Sequence, residues 1–77
     1  MKKIVVSGKE VLKKLLKNGF TVDRINGSHY QIIKIVGETR FFVTIPIHGN
    51  RDLHTSIIHS IFKQSGLSEE EFEKLFE

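Results

Sequence analysis

A chain of 77 residues with 39% apolar content buries only about 60% of the surface its unfolded form would expose, so it has material for one modest core. It contains no cysteine, which removes disulfides and thiolate metal sites and suits a reducing compartment. The net charge of +3 is unevenly spread: residues 1–67 carry eleven Lys/Arg against four Asp/Glu, and residues 68–77 one Lys against five Glu. A basic body attracts polyanions, nucleic acid above all, although a solvated lysine-rich helix gives the same balance. The apolar run Ile4-Val5-Val6 is far shorter than the roughly 7–15 residues of a signal-peptide core. No stretch approaches the roughly 20 apolar residues of a membrane span. The expectation is one soluble, cytoplasmic domain over residues 1–77, with no membrane contact.

The first predicted element is a helix from about Ser7 to Asn18. Ser7 and Glu10 have capping-box spacing, and Val11, Leu12, Leu15 and Leu16 form one apolar stripe. Lys9, Lys13, Lys14 and Lys17 lie largely off that stripe, and Gly19 stands where a left-handed cap is expected. Phe20 to Ile25 then alternates apolar and polar residues, as a half-buried strand does. Asn26-Gly27 predicts a type I′ hairpin turn, Ser28 to Val36 a second strand, Gly37-Glu38 a II′ turn, and Arg40 to Ile47 a third strand. Pro46 removes a ladder donor near its end. After a polar loop, a second helix covers about Thr55 to Ser65, with Ile57, Ile58, Ile61 and Phe62 on its apolar face and Gly66 as its stop. Ser68 and Glu71 repeat the capping-box spacing and open a last short helix carrying Phe72, Leu75 and Phe76.

The order α-β-β-β-α, with two hairpin links, predicts a three-stranded antiparallel sheet with both long helices on one face, an α+β two-layer sandwich. The other sheet face is left for solvent or a ligand.

Four histidines, His29, His48, His54 and His59, carry the available acid–base chemistry, because imidazole exchanges protons near neutral pH. They do not suggest a metal site. His54 and His59 stand about 140° apart on a helix, and no HExxH pattern or cysteine assists. Ser28 and His29 are strand neighbours facing opposite ways, a poor nucleophile–base pair, and no nucleophile elbow occurs. The carboxylates at Glu69, Glu70, Glu71 and Glu73 open a helix, where negative charge suits the macrodipole. His29, just after a tight turn on a stiff strand, has the rigid placement a catalytic group needs. Residue chemistry alone favours an exposed strand histidine without a task. His48, just past Pro46, reads as a loop or phosphate-contacting residue, and His54 and His59 as surface residues of the second helix.

Three ordered blocks then resemble the HicA family of toxin–antitoxin systems. Gly27-Ser28-His29-Tyr30 is similar to its Gly-Ser-His signature. Val43-Thr44-Ile45-Pro46-Ile47-His48-Gly49-Asn50 is similar to its Val-Thr-Val-Pro-x-His segment. Ser60 to Phe72, with Gly66-Leu67-Ser68 inside it, is similar to its closing helix, Gly-Leu-Ser and short acidic helix. Before the second helix the family usually carries Lys-Pro-Gly-Thr-Leu. This chain has His54-Thr55-Ser56-Ile57-Ile58, where Thr55 or Ser56 is the expected cap.

The resemblance implies a double-stranded-RNA-binding-domain-like fold and an mRNA interferase, an endoribonuclease acting on mRNA or other RNA. It implies no metal or other cofactor, His29 as the catalytic residue, and a HicB-like antitoxin as partner. On that footing His29 is expected to act as general base or acid on a ribose 2′-hydroxyl, with Arg24 or Lys34 stabilising phosphorane charge. Ser28 and His48 complete the expected RNA contacts. The alternatives are a non-catalytic RNA-binding domain of the same fold and a protein-binding adaptor using the open sheet face.

Overall fold

The computed structural model describes residues 1–77. Its elements follow in the order α1 (Gly8–Lys17), β1 (Thr21–Asn26), β2 (His29–Val36), β3 (Thr39–Pro46), α2 (Thr55–Ser65) and α3 (Glu69–Lys74). The strands form one antiparallel sheet in the order β1-β2-β3. This is the α+β arrangement expected from the sequence.

Period-two alternation decides which strand residues meet the helices. Ile32 of β2 and Val43 and Ile45 of β3 are fully buried, and they join Val11 and Leu15 of α1 and Ile58 and Ile61 of α2 in one core completed by Phe20 and Phe72. Both long helices therefore cover the same sheet face. Their coverage is uneven. α2 lies along β3, where the Gln64 Oε1 accepts the Thr44 N–H at 3.1 Å and occupies part of the outer edge. At the opposite edge, β1 leaves Val22 and Ile25 44% and 56% exposed although both face the helix side.

Two local expectations need correction. The first hairpin loop is Gly27-Ser28, closed by the Asn26–His29 pair, and the positive φ falls on Gly27 alone. This is the II′ pattern, not I′. Ser28 thus belongs to the turn and β2 starts at His29. The observed register sets Ile25 opposite Tyr30, an apolar–aromatic cross-strand pair. An Asn26-Gly27 loop would set Asp23 there instead. The second correction is the α2 cap. His54, not Thr55 or Ser56, takes that place, its Nδ1 accepting the Ser56 N–H at 3.1 Å.

β1 also carries a bulge. Val22 pairs with Ile32 and Arg24 with Gln31, leaving Asp23 without a partner on β2. The extra residue re-phases the strand, so Val22 and Ile25, three apart, share the helix side.

At α1 only half the expected capping box forms: Ser7 Oγ accepts the Glu10 N–H at 3.2 Å. At α3 the box is complete. Ser68 Oγ accepts the Glu71 N–H at 3.1 Å, and Glu71 Oε1 accepts the Ser68 N–H at 2.9 Å. The Ser68 N–H donating to it, and next the Ser68 hydroxyl, hold the Glu71 carboxyl below its usual range, with a lesser contribution from Lys34. A depressed folded-state pKa gives stability that is present above the unfolded pKa and lost as pH falls through the folded one. Protection of the α3 amides, taken relative to the intrinsic exchange rate, should therefore fall as pH drops below the ordinary glutamate range, and Glu71→Gln should flatten that acid response.

Candidate functional site

His29 is the first residue of the central strand. Its register partners are Asn26 on β1 and Pro46 on β3. It is exposed, and alternation from the buried Ile32 places it on the face that carries no helix. Two flanking strands and the Gly27-Ser28 turn fix its backbone. The same rim is tied to the next segment by the Ile47 N–H, which donates to the Ser28 carbonyl at 2.7 Å.

The next rank across the open face is Arg24, Gln31 and Thr44. Arg24 is two residues from Asn26, so it is the diagonal neighbour of His29, and such pairs lie about 7–8 Å apart, within reach of long side chains. Beyond this polar end the face turns apolar, with Ile33, the 62% exposed Ile35 and the 42% exposed Phe42. None of these residues lines a cavity, and a face without an enclosed pocket suits an extended polymer better than a small molecule.

The other expected site residues divide. Ser28 is half-buried in the turn, with its carbonyl engaged by Ile47. His48 is exposed just past Pro46, on the same rim, and its carbonyl accepts the Arg51 N–H at 3.2 Å. Lys34 stands apart. It is in phase with Ile32 on the helix side, its Nζ is 5.7 Å from the Phe20 ring centroid, and it lies about 17 Å along β2 from His29. His54 is held as the α2 cap, and His59 is exposed beside Phe62, ring centroids 6.0 Å apart. No group of three or more His, Cys, Asp or Glu side chains converges anywhere. Gln31 and Thr44, which share a rank with Arg24, were missed in the sequence, although alternation alone puts Gln31 on the His29 face.

α1 reaches this rim from below. Gly8, its first residue, is buried against the end of β3, and a Cβ there would collide with the Pro46 carbonyl oxygen. Backbone cannot swing aside as a side chain can. Gly8→Ala should therefore cost about 1–3 kcal/mol in urea unfolding. It should also displace Pro46 relative to His29, visible as shifted His29 ring resonances.

These features define a small basic α+β domain with two exposed histidines, His29 on the central strand and His48 just past β3, at one rim of an open sheet. Residues 8–67 match the family model of the HicA toxin of bacterial toxin–antitoxin systems, and the chain belongs to that family. No curated protein matches it. The matched span holds α1, the sheet, α2 and the His29 rim, whereas α3 lies beyond it.

Proposed function

We propose that this toxin is an endoribonuclease, an mRNA interferase that cleaves RNA without metal and is held in check by a HicB-like antitoxin in the cytoplasm. The observation that carries the reading is the placement of His29: exposed, anchored on the central strand, and diagonal to Arg24 on a helix-free face. Membership of the HicA toxin family supports it.

In the proposed reaction His29 accepts the proton of a ribose 2′-hydroxyl. The freed oxygen attacks the adjacent phosphorus, the bond to the 5′-oxygen breaks, and that oxygen takes up a proton from the imidazolium or from water. The substrate supplies its own nucleophile. Arg24 is the nearest candidate to offset charge on the pentacovalent phosphate. In this reading Ser28 and His48, at the same rim, contact the RNA strand. Lys34, on the other face, has no part in this step.

End-group analysis of RNA cut in EDTA tests the reading. The 2′-hydroxyl route leaves a 2′,3′-cyclic phosphate and a 5′-hydroxyl, and a single 2′-deoxy substitution at the scissile position blocks it. Fragments ending in 3′-hydroxyl and 5′-phosphate, or cleavage only when a divalent metal is added, would overturn it. Tight RNA binding with no cleavage would favour the non-catalytic RNA-binding domain.

A further inference from the structure

On the helix side, away from His29, the C-terminal end of α1, the middle of β2 and α3 surround a cleft of about 430 Å³. Four lysines line it: Lys14 and Lys17 from α1, Lys34 from β2 and Lys74 from α3. Glu71 is the one carboxylate among the lining residues, and its Oε1 is already engaged by the Ser68 N–H at 2.9 Å. Of the four lysines, only Lys74 forms an ion pair, an exposed contact of 3.6 Å to Glu70. Lys34 is held in place rather than free to sweep. Its stem crosses Gly19 so closely that a Cβ there would lie 3.3 Å from Lys34 Cε, and its ammonium sits against the Phe20 ring.

Like charges gathered in a concavity repel one another, and their joint potential is focused outward. They lower their energy by taking up an anion with several charges. The apolar lining is confined to Leu67 and Leu75, too little for the apolar centre of a protein interface. Ammonium groups are point charges that hold phosphates without reading bases.

We infer that this cleft is a second RNA-binding site, which holds the phosphodiester backbone of a substrate strand remote from the scissile bond. The inference rests on the endoribonuclease reading only for the identity of the strand. The cleft opens on the opposite side of the sheet from His29, so an RNA occupying both must pass around β1, the strand edge that no helix covers. Lys74 belongs to α3, outside the residues that match the family model, so this backbone clamp is partly built from a segment the family model does not describe.

The test measures binding, so it does not depend on catalysis. The His29→Ala protein binds a 20-nucleotide RNA over a series of salt concentrations, with and without K14Q/K17Q/K74Q. Each lost phosphate contact lowers the salt slope by about 0.7 for a single strand. The triple variant should therefore lower it by about 2, and between 50 and 200 mM salt the parent should lose about 15-fold more affinity than the variant. K14R/K17R/K74R, which keeps the charges, should keep the slope. A triple glutamine variant that changes the slope no more than K3Q/K9Q/K63Q, three lysines outside the cleft, would overturn the inference. So would a loss of antitoxin binding with RNA affinity intact, because it would assign the cleft to a protein. Failure of the catalytic reading shows separately, as unaltered cleavage by His29→Ala, and leaves the slope comparison standing.

Discussion

His29→Ala is expected to slow RNA cleavage by about 10²–10⁴-fold, the usual contribution of one positioned acid–base group, without unfolding the protein. The fold should survive because His29 is exposed and belongs to none of the buried contacts that make the core. Its strand position is set by the backbone pairs with Asn26 and Pro46, which alanine keeps. Exposed substitutions of this kind usually change stability by less than about 0.5 kcal/mol. The separation of a large rate effect from a small stability effect is the informative result. Single-turnover cleavage of a defined RNA, read beside a urea unfolding curve, measures both. Induced expression of wild type against His29→Ala, scoring growth and mRNA integrity, carries the same comparison into cells. A folded variant that cuts at the wild-type rate would remove His29 from the chemistry and leave the sheet face a binding surface only.

Phe72→Ala should be the most damaging single change to stability, at about 3–5 kcal/mol. A protein of this size holds roughly 4–12 kcal/mol in total, so the variant should be partly unfolded at physiological temperature. Phe72 is the one buried residue of α3. It lies edge-on to Phe62 and to Phe76, each with centroids 5.3 Å away, and aromatic pairs add about 0.5–1.5 kcal/mol beyond area burial. A six-residue helix is too short to persist alone in water, so it depends on its attachments, of which this ring is the one fully buried; the Lys2 N–H, donating to Glu73 Oε2 at 2.8 Å, is an exposed one. Thermal unfolding by circular dichroism gives the measure. A loss below about 1 kcal/mol would mean that α3 is a detachable tail, and the lysine cleft it completes would lose one wall.

The elements were legible where several signals agreed. α2 spans Thr55–Ser65 as expected, because an apolar stripe and a stop glycine coincide. Gly66 takes φ +74°, and a Cβ there would also collide with the Phe41 ring. The hairpin loop was misplaced by one residue because Asn-Gly is a strong local preference, while the pairing of Ile25 with Tyr30 is a longer-range contact that overrode it. His54 escaped notice as a cap because imidazole nitrogen is an unusual acceptor in that role.

The site was legible in part. Alternation shows that His29 and Gln31 share a face, but β2 carries isoleucine on both faces, Ile32 on one and Ile33 and Ile35 on the other. Its phase relative to the helices is therefore ambiguous in the strand alone. Only pairing with Val43 and Ile45 resolves it, whereas Lys34, five residues from His29, lies on the opposite face by alternation alone. The lysine cleft gathers residues from three distant parts of the chain, so no local pattern announces it.

The unpaired Asp23 has a consequence for chain length. An edge strand of six residues usually tolerates insertion or deletion badly, because a shift of one exchanges its two faces. Here one deletion should be silent. Without Asp23 every cross-strand partner of β1 keeps its place, and the strand becomes a plain one with Arg24 still diagonal to His29. Losing Arg24 instead would slide Asp23 into the vacated position and set a carboxylate beside the histidine. Two deletions one codon apart would then differ as sharply as a silent change and a reversal of charge at the rim.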